Sequence, residues 1–219
     1  SASHGRLKMS LYSEVKEMVG NDTLEVFGPS GSGKTTFAIE VVRDALREDQ
    51  TVVYIDAERN IADPPENEKL TYRYAPDLQS IVNIAANLPR ADLYVLDSIG
   101  FPVVTQFALA DMKRRGDMLL KCVTLTYYLK LATARHSALA LVINQPVSPF
   151  GKNRDPAELP PFGDKSIFGY KEIWRTSLDR TDEKGTVCSI RAWRSRRFGR
   201  GRLLFRLSIT NSGVTVNEE

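Results

Sequence analysis

The feature that most constrains the fold is a glycine-rich stretch, GPSGSGKTT, at residues 28–36. It follows the apolar run LEVF and precedes FAIEVVRDAL, in which apolar residues recur at helical spacing. A strand that turns directly into a helix is half of a βαβ unit, and such units build parallel sheets covered by helices. We therefore expect an α/β protein with this turn at the carboxyl edge of its sheet.

The remaining pattern supports a mostly parallel, twisted sheet. Three further runs are almost continuously apolar, at residues 51–55, 93–96 and 138–143. Continuous rather than alternating apolar residues are typical of parallel strands that helices cover on both faces. Amphipathic stretches separate these runs and predict helices over about residues 35–48, 77–88 and 117–136.

The C-terminal part of the chain follows a different pattern. After residue 170 the sequence reads EIWRTSLDR, TVCSIRAW and LLFRLSIT, joined by the turn-like DEKG and FGRG. This pattern predicts antiparallel strands appended to the parallel sheet. Two stretches, 100–116 and 146–166, fit no element, and the second is rich in Pro and Gly. Loops of such length within a compact domain are usually functional or mobile.

Length and composition predict one cytoplasmic domain. The chain has 219 residues, of which 42% are hydrophobic and 26% charged, and this suits a single domain over residues 9–219. Residues 1–8 look like a tag remnant before Met9 and are left out of the fold prediction. Cys122 and Cys188 lie far apart in apolar surroundings, which favours reduced thiols. No run is apolar enough for a membrane span or signal peptide, so we expect no membrane partner.

The glycine-rich turn matches the phosphate-binding pattern G-x-x-x-x-G-K-[ST] through Gly28, Gly33, Lys34 and Thr35. In this pattern backbone N–H groups surround the β-phosphate, the lysine reaches the β and γ oxygens, and the hydroxyl binds Mg²⁺. A chance glycine-rich turn is the alternative, and the flanking strand and helix disfavour it. The predicted ATP-binding residues are Gly28, Pro29, Ser30, Gly31, Ser32, Gly33, Lys34, Thr35 and Thr36.

A magnesium–ATP site also needs a carboxylate at the end of a neighbouring strand. LYVLDS supplies Asp97 after a largely apolar run, at the edge where parallel strands end. An aspartate there is often only a helix cap or turn former. Its pairing with the phosphate-binding pattern favours a metal role, so Thr35 and Asp97 are the predicted magnesium ligands.

Hydrolysis requires a group that activates or orients the attacking water. VVYIDAE places Asp56 and Glu58 at the exit of one strand, and Glu58 could reach the γ-phosphate. The alternative for Glu58 is a surface carboxylate at the start of a loop. The strand at 138–143 ends in NQ, where Gln145 could hydrogen-bond the γ-phosphate or simply cap the strand.

GPSGSGKTT, YIDAE, LYVLDS and LVINQP, in this order, resemble the ATPase core of the RecA/RadA recombinase superfamily, most closely its short archaeal paralogues of the RadB type. The resemblance extends from about Leu24 to Val216. It implies a RecA-like P-loop NTPase fold, with Glu58 as catalytic base, Asp97 as magnesium carboxylate and Gln145 as the sensor that couples γ-phosphate to DNA contact. Lys34 completes the implied catalytic set, and stretches 100–116 and 146–166 match the two mobile DNA-binding loops.

The sequence departs from full-length recombinases before its first strand. Only about 15 residues from Met9 precede that strand, and they contain neither an N-terminal helical domain nor an obvious polymerisation segment with a phenylalanine anchor. We therefore expect an accessory paralogue rather than a recombinase that forms filaments and exchanges strands.

Charge is distributed unevenly along the chain and predicts a polyanionic partner. Residues 9–100 hold 16 acidic and 8 basic side chains, whereas residues 101–219 hold 11 acidic and 20 basic ones. Basic residues alternate with aromatic ones, a pattern that suits phosphate contacts and base stacking, although an acidic protein or a neighbouring subunit's ATP would also fit. The predicted DNA-binding residues are Lys113, Arg114, Arg115, Lys152, Arg154, Lys165, Arg194, Arg196, Arg197, Arg200 and Arg202.

Three functions are therefore open. The first is a DNA-dependent ATPase, using ATP and Mg²⁺, that assists homologous recombination or DNA repair with single-stranded DNA and a full-length recombinase or other repair protein as partners. The second is an ATP-gated adaptor that hydrolyses little and binds a protein partner. A small-molecule kinase is disfavoured, because no compact acceptor-binding lid is evident.

Overall fold

The computed structural model describes residues 9–61, 64–100, 102–103, 106, 110–146 and 169–218. The described residues include four helices: α1 (Leu11–Val19), α2 (Lys34–Arg47), α3 (Leu78–Ala86) and α4 (Met112–His136). They also include nine strands: β1 (Thr23–Phe27), β2 (Val52–Asp56), β3 (Leu70–Tyr74), β4 (Leu93–Asp97), β5 (Leu139–Asn144), β6 (Glu172–Asp182), β7 (Gly185–Arg194), β8 (Leu203–Thr210) and β9 (Gly213–Glu218).

The nine strands form one sheet in the order β3-β2-β4-β5-β1-β6-β7-β8-β9. The first six strands of this order are parallel to one another, and β7, β8 and β9 continue the sheet as an antiparallel meander. Strand β6 is the junction, because it pairs in parallel with β1 and antiparallel with β7. The predicted class, a mostly parallel α/β sheet with C-terminal antiparallel strands, is confirmed.

Two apolar cores lie on opposite faces of the sheet. One contains residues of α1 and α2 together with alternate residues of β1, including Leu24 and Val26. The other contains residues of α3 and α4 and, from β1, Phe27. Every residue of β1, β2, β4 and β5 is buried, which explains why these strands read as continuous apolar runs. Both cysteines are buried and free.

Four expectations about the elements were wrong or incomplete. Helix α1 was not predicted, and Ser10 caps it by accepting the Ser13 N–H at 3.1 Å. Helix α4 begins at Met112 rather than 117, because Asp111 caps it by accepting the Arg114 N–H at 2.8 Å. Strands β3 and β9 were missed, since each lies at an edge of the sheet and keeps exposed polar residues.

Other expectations fall outside the described residues. The tag remnant at 1–8 and all but the first residue of stretch 146–166 lie there, while the end of stretch 100–116 is the first turn of α4. Within the part of the chain that the structure describes, no helix has the length and apolar character that crossing a membrane requires.

Candidate nucleotide-binding site

The phosphate-binding pattern forms a tight loop between β1 and α2. Gly31 and Gly33 have φ values of 75° and 81°, a left-handed conformation that glycine adopts without strain. Gly28 lies against β6, because a Cβ atom there would be 2.5 Å from the Thr176 carbonyl oxygen. The Ser32 hydroxyl lies 2.5 Å from Thr176 Oγ1 and donates to the Pro29 carbonyl at 2.7 Å. Strand β6 therefore supports the loop from outside the motif.

Lys34 points into the loop rather than into solvent. It is 7% exposed, and its ammonium group donates to the carbonyl oxygens of Gly28 at 2.8 Å and Pro29 at 2.7 Å. Burial lowers its pKa to about 8, although the nearby carboxylates of Asp97 and Glu58 oppose this shift. Phosphate oxygens could replace the two carbonyls as acceptors without moving the ammonium group far.

Asp97 ends β4 beside the start of α2. Its carboxylate accepts hydrogen bonds from Tyr54 OH at 2.8 Å, Thr35 Oγ1 at 3.3 Å and Asn60 Nδ2 at 3.3 Å. Burial raises the pKa of Asp97, and these hydrogen bonds oppose the rise by favouring the ionised carboxylate. The Thr35 hydroxyl and the Asp97 carboxylate are oxygen ligands of the kind that Mg²⁺ takes.

Few protein ligands are needed for this metal. Among the described residues, no group of three or more His, Cys, Asp or Glu side chains could hold an ion by itself. Magnesium at a nucleotide site usually takes one or two carboxylates and completes its shell with phosphates and water. The oxygen donors of Thr35 and Asp97 therefore fit a magnesium ion that arrives with a nucleotide.

Glu58 and Gln145 come together from different strands. One carboxylate oxygen of Glu58 accepts from the Ser98 hydroxyl and lies 3.4 Å from Gln145 Nε2. The neighbouring Asp56 has another role. It accepts the Glu58 N–H at 3.0 Å and the Tyr72 hydroxyl at 2.8 Å, and so shapes the turn that carries Glu58.

Six of the nine predicted ATP-binding residues line one cleft of about 300 Å³ together with Glu58, Asp97 and Gln145. The sequence predicted that the glycine-rich loop, Glu58, Asp97 and Gln145 surround a nucleotide, and the structure brings these residues together. Sequence reasoning missed Tyr54, and it missed five residues that line the cleft: Asn60, Ser98, Ile143, Thr186 and Ile209. Ser98 follows Asp97 directly and could have been suspected. Thr186 and Ile209 are paired residues of β7 and β8, and no local signal showed that these strands reach the cleft.

The predicted DNA-binding residues do not share one environment. Lys113 and Arg114 are exposed in the first turn of α4, and Arg115 donates to the Ala110 carbonyl at 3.1 Å. Arg196 pairs with Asp22 at 2.7 Å, and Arg197 donates to the Glu17 carbonyl at the end of α1.

The other predicted DNA-binding arginines near the C-terminus, Arg194, Arg200 and Arg202, have different surroundings. Arg194 donates to the Tyr170 carbonyl at 3.4 Å, and the Arg200 guanidinium lies 3.8 Å from the centre of the Trp193 ring. Arg202 is exposed. Lys152, Arg154 and Lys165 lie outside the described residues. Arg196 and Arg197 therefore contact residues 17–22, whereas Arg200 contacts an aromatic ring.

Comparison with curated proteins gives partial matches to RecA. The chain is 33% identical to Protein RecA of Malacoplasma penetrans over 85 residues, which are 35% of this chain and 26% of that protein. It is 33% identical to Protein RecA of Rubrobacter xylanophilus over 109 residues, which are 45% of this chain and 31% of that protein. The chain thus spans about a quarter to a third of these relatives' length. No protein-family model matches it.

Comparison with solved structures gives a match over almost the whole chain. The crystal structure of the RadB recombinase superposes with a TM-score of 0.65 and covers 92% of this chain and 95% of its own. The sequence identity is 19%, so this likeness establishes the fold.

Proposed function

We propose, from the premise that this chain resembles the ATPase core of the RecA/RadA superfamily and has the fold of RadB, that it is a DNA-stimulated ATPase. It acts as an accessory protein in homologous recombination or DNA repair, in the cytoplasm. Its cofactors are ATP and Mg²⁺, and its partners are single-stranded DNA and a recombinase or another repair protein.

One observation carries the proposal: the glycine-rich loop, Asp97, Glu58 and Gln145 line the same cleft. The loop N–H groups and Lys34 bind the phosphates, while Thr35 and Asp97 hold the metal. Bound Mg²⁺ supplies positive charge that neutralises the phosphate oxygens during transfer. The carboxylate of Glu58 accepts a proton from the attacking water, and Gln145 reports whether a γ-phosphate is present.

The basic residues support nucleic acid as the polymer partner. Lys113 and Arg114 are exposed at the start of α4, and the Arg200 guanidinium lies 3.8 Å from the centre of the Trp193 ring. Guanidinium and ammonium groups neutralise phosphates, and an arginine–aromatic pair offers a planar surface to an unstacked base. Gln145 lies at the carboxyl end of β5, one residue before stretch 146–166, so a bond to γ-phosphate could be transmitted to that stretch.

A protein adaptor is the second candidate, and the outer face of α4 favours it. Four apolar side chains recur there at helical spacing and are widely exposed: Leu120 at 65%, Val123 at 40%, Tyr127 at 61% and Leu131 at 37%. Exposed apolar stripes of this kind usually mark a protein contact. An adaptor would need ATP binding but not turnover.

Turnover with and without single-stranded DNA tests the proposal. Wild type is expected to hydrolyse ATP faster when single-stranded DNA is present. Glu58→Gln is expected to bind Mg·ATP normally and to lower turnover by about 10² or more, the scale of a lost general base. Glu68→Gln, an exposed carboxylate outside the cleft, is the matched control and should change neither quantity. Equal turnover in wild type and Glu58→Gln would favour the adaptor.

A further inference from the structure

A buried carboxyl group lies in the middle of the sheet, away from the cleft lining. Glu25 is the central residue of β1, is 0% exposed, and is opposite Val142 of β5 and Ile173 of β6. Burial raises its pKa to about 7, and the Asn144 amide and the Arg194 charge oppose the rise. An apolar residue at such a position is often as stable or more stable. A gain in stability therefore does not explain why a glutamate occupies position 25.

The contacts of Glu25 are directed toward the end of β5. Its Oε1 atom accepts a hydrogen bond from Asn144 Nδ2 at 2.9 Å, while Oε2 has no hydrogen-bond partner among the described residues. Asn144 is 1% exposed and uses its other amide atom, Oδ1, to accept the Gln145 N–H at 3.0 Å. In its carboxylate form Glu25 can only accept, and this favours the orientation of the Asn144 amide that presents its oxygen to Gln145.

The backbone around Gln145 leaves little room for another arrangement. A Cβ atom at Gly100 would be 2.9 Å from the Gln145 nitrogen and 3.0 Å from Asn144 Oδ1, so a chain segment packs directly on this amide. From this fixed backbone the Gln145 side chain extends to Glu58, with 3.4 Å between Nε2 and Oε1. Glu25, Asn144, Gln145 and Glu58 thus form one continuous series of contacts.

We propose that Glu25 is a positioning residue for ATP hydrolysis: through Asn144 it fixes the backbone of Gln145 and so sets the Gln145 amide against the Glu58 carboxylate. This inference rests on the proposed function. Glu25 is not among the residues that line the cleft, and its carboxyl group accepts a hydrogen bond from Asn144, so we expect it to affect turnover rather than nucleotide affinity.

Glu25→Met is the informative variant, because methionine has a similar size and no strong acceptor. It is expected to lower kcat by about tenfold or more while the ATP dissociation constant stays within about twofold. Glu25→Gln keeps an acceptor oxygen for Asn144 and should retain most of the turnover. If the thermal-unfolding midpoint of Glu25→Met is at or above that of wild type, its lower kcat does not result from loss of the fold.

A double-mutant cycle with Gln145→Ala identifies the path of the effect. If Glu25 acts through Gln145, Glu25→Met should change kcat by less than about twofold in the Gln145→Ala background. The same tenfold loss in both backgrounds, or no loss in either, would overturn the proposal.

A readout that does not depend on turnover completes the test. Hydrogen exchange of the Gln145 backbone amide should be slow in wild type and in Glu25→Gln and faster in Glu25→Met, because the bond to Asn144 is weakened only there. Unchanged exchange in Glu25→Met refutes the role of Glu25 even if the wild type is inactive. A wild type that exchanges as expected but never hydrolyses ATP refutes the proposed function instead.

Discussion

At the scale of single residues, two charged groups of the cleft are already hydrogen-bonded by the protein itself. The Lys34 ammonium group is bonded to two loop carbonyls, and the Asp97 carboxylate to three side-chain donors. A buried charge with such partners keeps its position and needs little rearrangement when a ligand of the right charge arrives.

We predict that Lys34→Ala lowers ATP affinity by about 10- to 100-fold, the range expected when hydrogen bonds to a charged group are lost. The fold should remain, because the side chain ends in the loop and not in an apolar core. Lys69→Ala is the control, since Lys69 pairs with Asp49 near the start of β3, away from the cleft. Equilibrium ATP titration measures the difference, and equal affinities for both variants would contradict the assignment.

The pKa of Glu25 predicts how stability varies with pH. Burial raises this pKa to about 7, and the groups that face Glu25 are Asn144, Arg194 and the buried Tyr170. The folded state therefore holds more protons than the unfolded state between about pH 4.5 and 7, so Glu25 weakens folding as pH rises through this window. As pH rises through this window, the free energy of unfolding of wild type should fall by at most about 3 kcal/mol relative to that of Glu25→Gln.

Urea unfolding of wild type and Glu25→Gln at pH 5 and pH 8 measures this difference. Parallel stability profiles for the two proteins would show that Glu25 does not titrate in this range.

Residues within a motif could be predicted, whereas their partners could not. Lys34 and Asp97 follow from short local patterns, because a loop or a strand end places them directly. Tyr54 becomes a neighbour of Asp97, and Glu25 a neighbour of Asn144, only through the parallel register of β1, β2, β4 and β5. A hydrogen bond between strands that are far apart in sequence leaves no local signal. The chemical roles assigned to the motif residues stay predictions.

At the scale of elements, β6 joins the two kinds of sheet and also supports the phosphate-binding loop. Thr176 lies in this strand, beside Gly28 and Ser32. The same strand therefore fixes the loop on one side and the antiparallel meander on the other.

We predict that Gly28→Ala lowers the free energy of unfolding by about 1–3 kcal/mol or more, the cost of forcing an atom into a packed contact. The new Cβ would meet the Thr176 carbonyl oxygen at 2.5 Å, and a backbone atom cannot turn aside. Gly116→Ala in α4 is the contrast: nothing lies within 4 Å, and alanine should stabilise the helix by about 0.5–1 kcal/mol. Chemical denaturation measures the free energy of unfolding of both variants, and changes of the same sign would contradict the prediction.

The central elements could be predicted because burial on both faces makes their strands continuously apolar. The edge strands β3 and β9 could not, since an edge strand exposes one side and its sequence resembles a loop. Helix α4 was predicted five residues too short at its start because KRRG is polar, and only the Asp111 cap marks the true beginning.

At the scale of the whole molecule, the arginines near the C-terminus provide a test of nucleic-acid binding. Each phosphate that a protein cation neutralises contributes about 0.7 to the slope of log affinity against log salt for single-stranded DNA. Replacing Arg194, Arg196 and Arg197 together by alanine is expected to weaken binding and reduce that slope by up to about two units.

The control is Arg43→Ala with Arg47→Ala on α2, two exposed arginines that lie outside the predicted DNA-binding set. Fluorescence anisotropy over a salt series gives both slopes. Normal DNA binding by the triple variant, together with an altered oligomeric state, would reassign the three arginines to a protein interface.

Because of the order of the strands, the acidic and basic parts of the sequence lie at opposite ends of the sheet. Strands β3, β2 and β4, at one end of the sheet, come from residues 51–97, with 8 acidic and 4 basic side chains. Strands β6–β9, at the other end, come from residues 169–218, with 11 basic and 5 acidic side chains. Such a molecule has a permanent electric dipole along its sheet. An approaching polyanion exerts a torque on that dipole before contact. The basic end therefore turns toward the polyanion, and a larger fraction of encounters leads to binding.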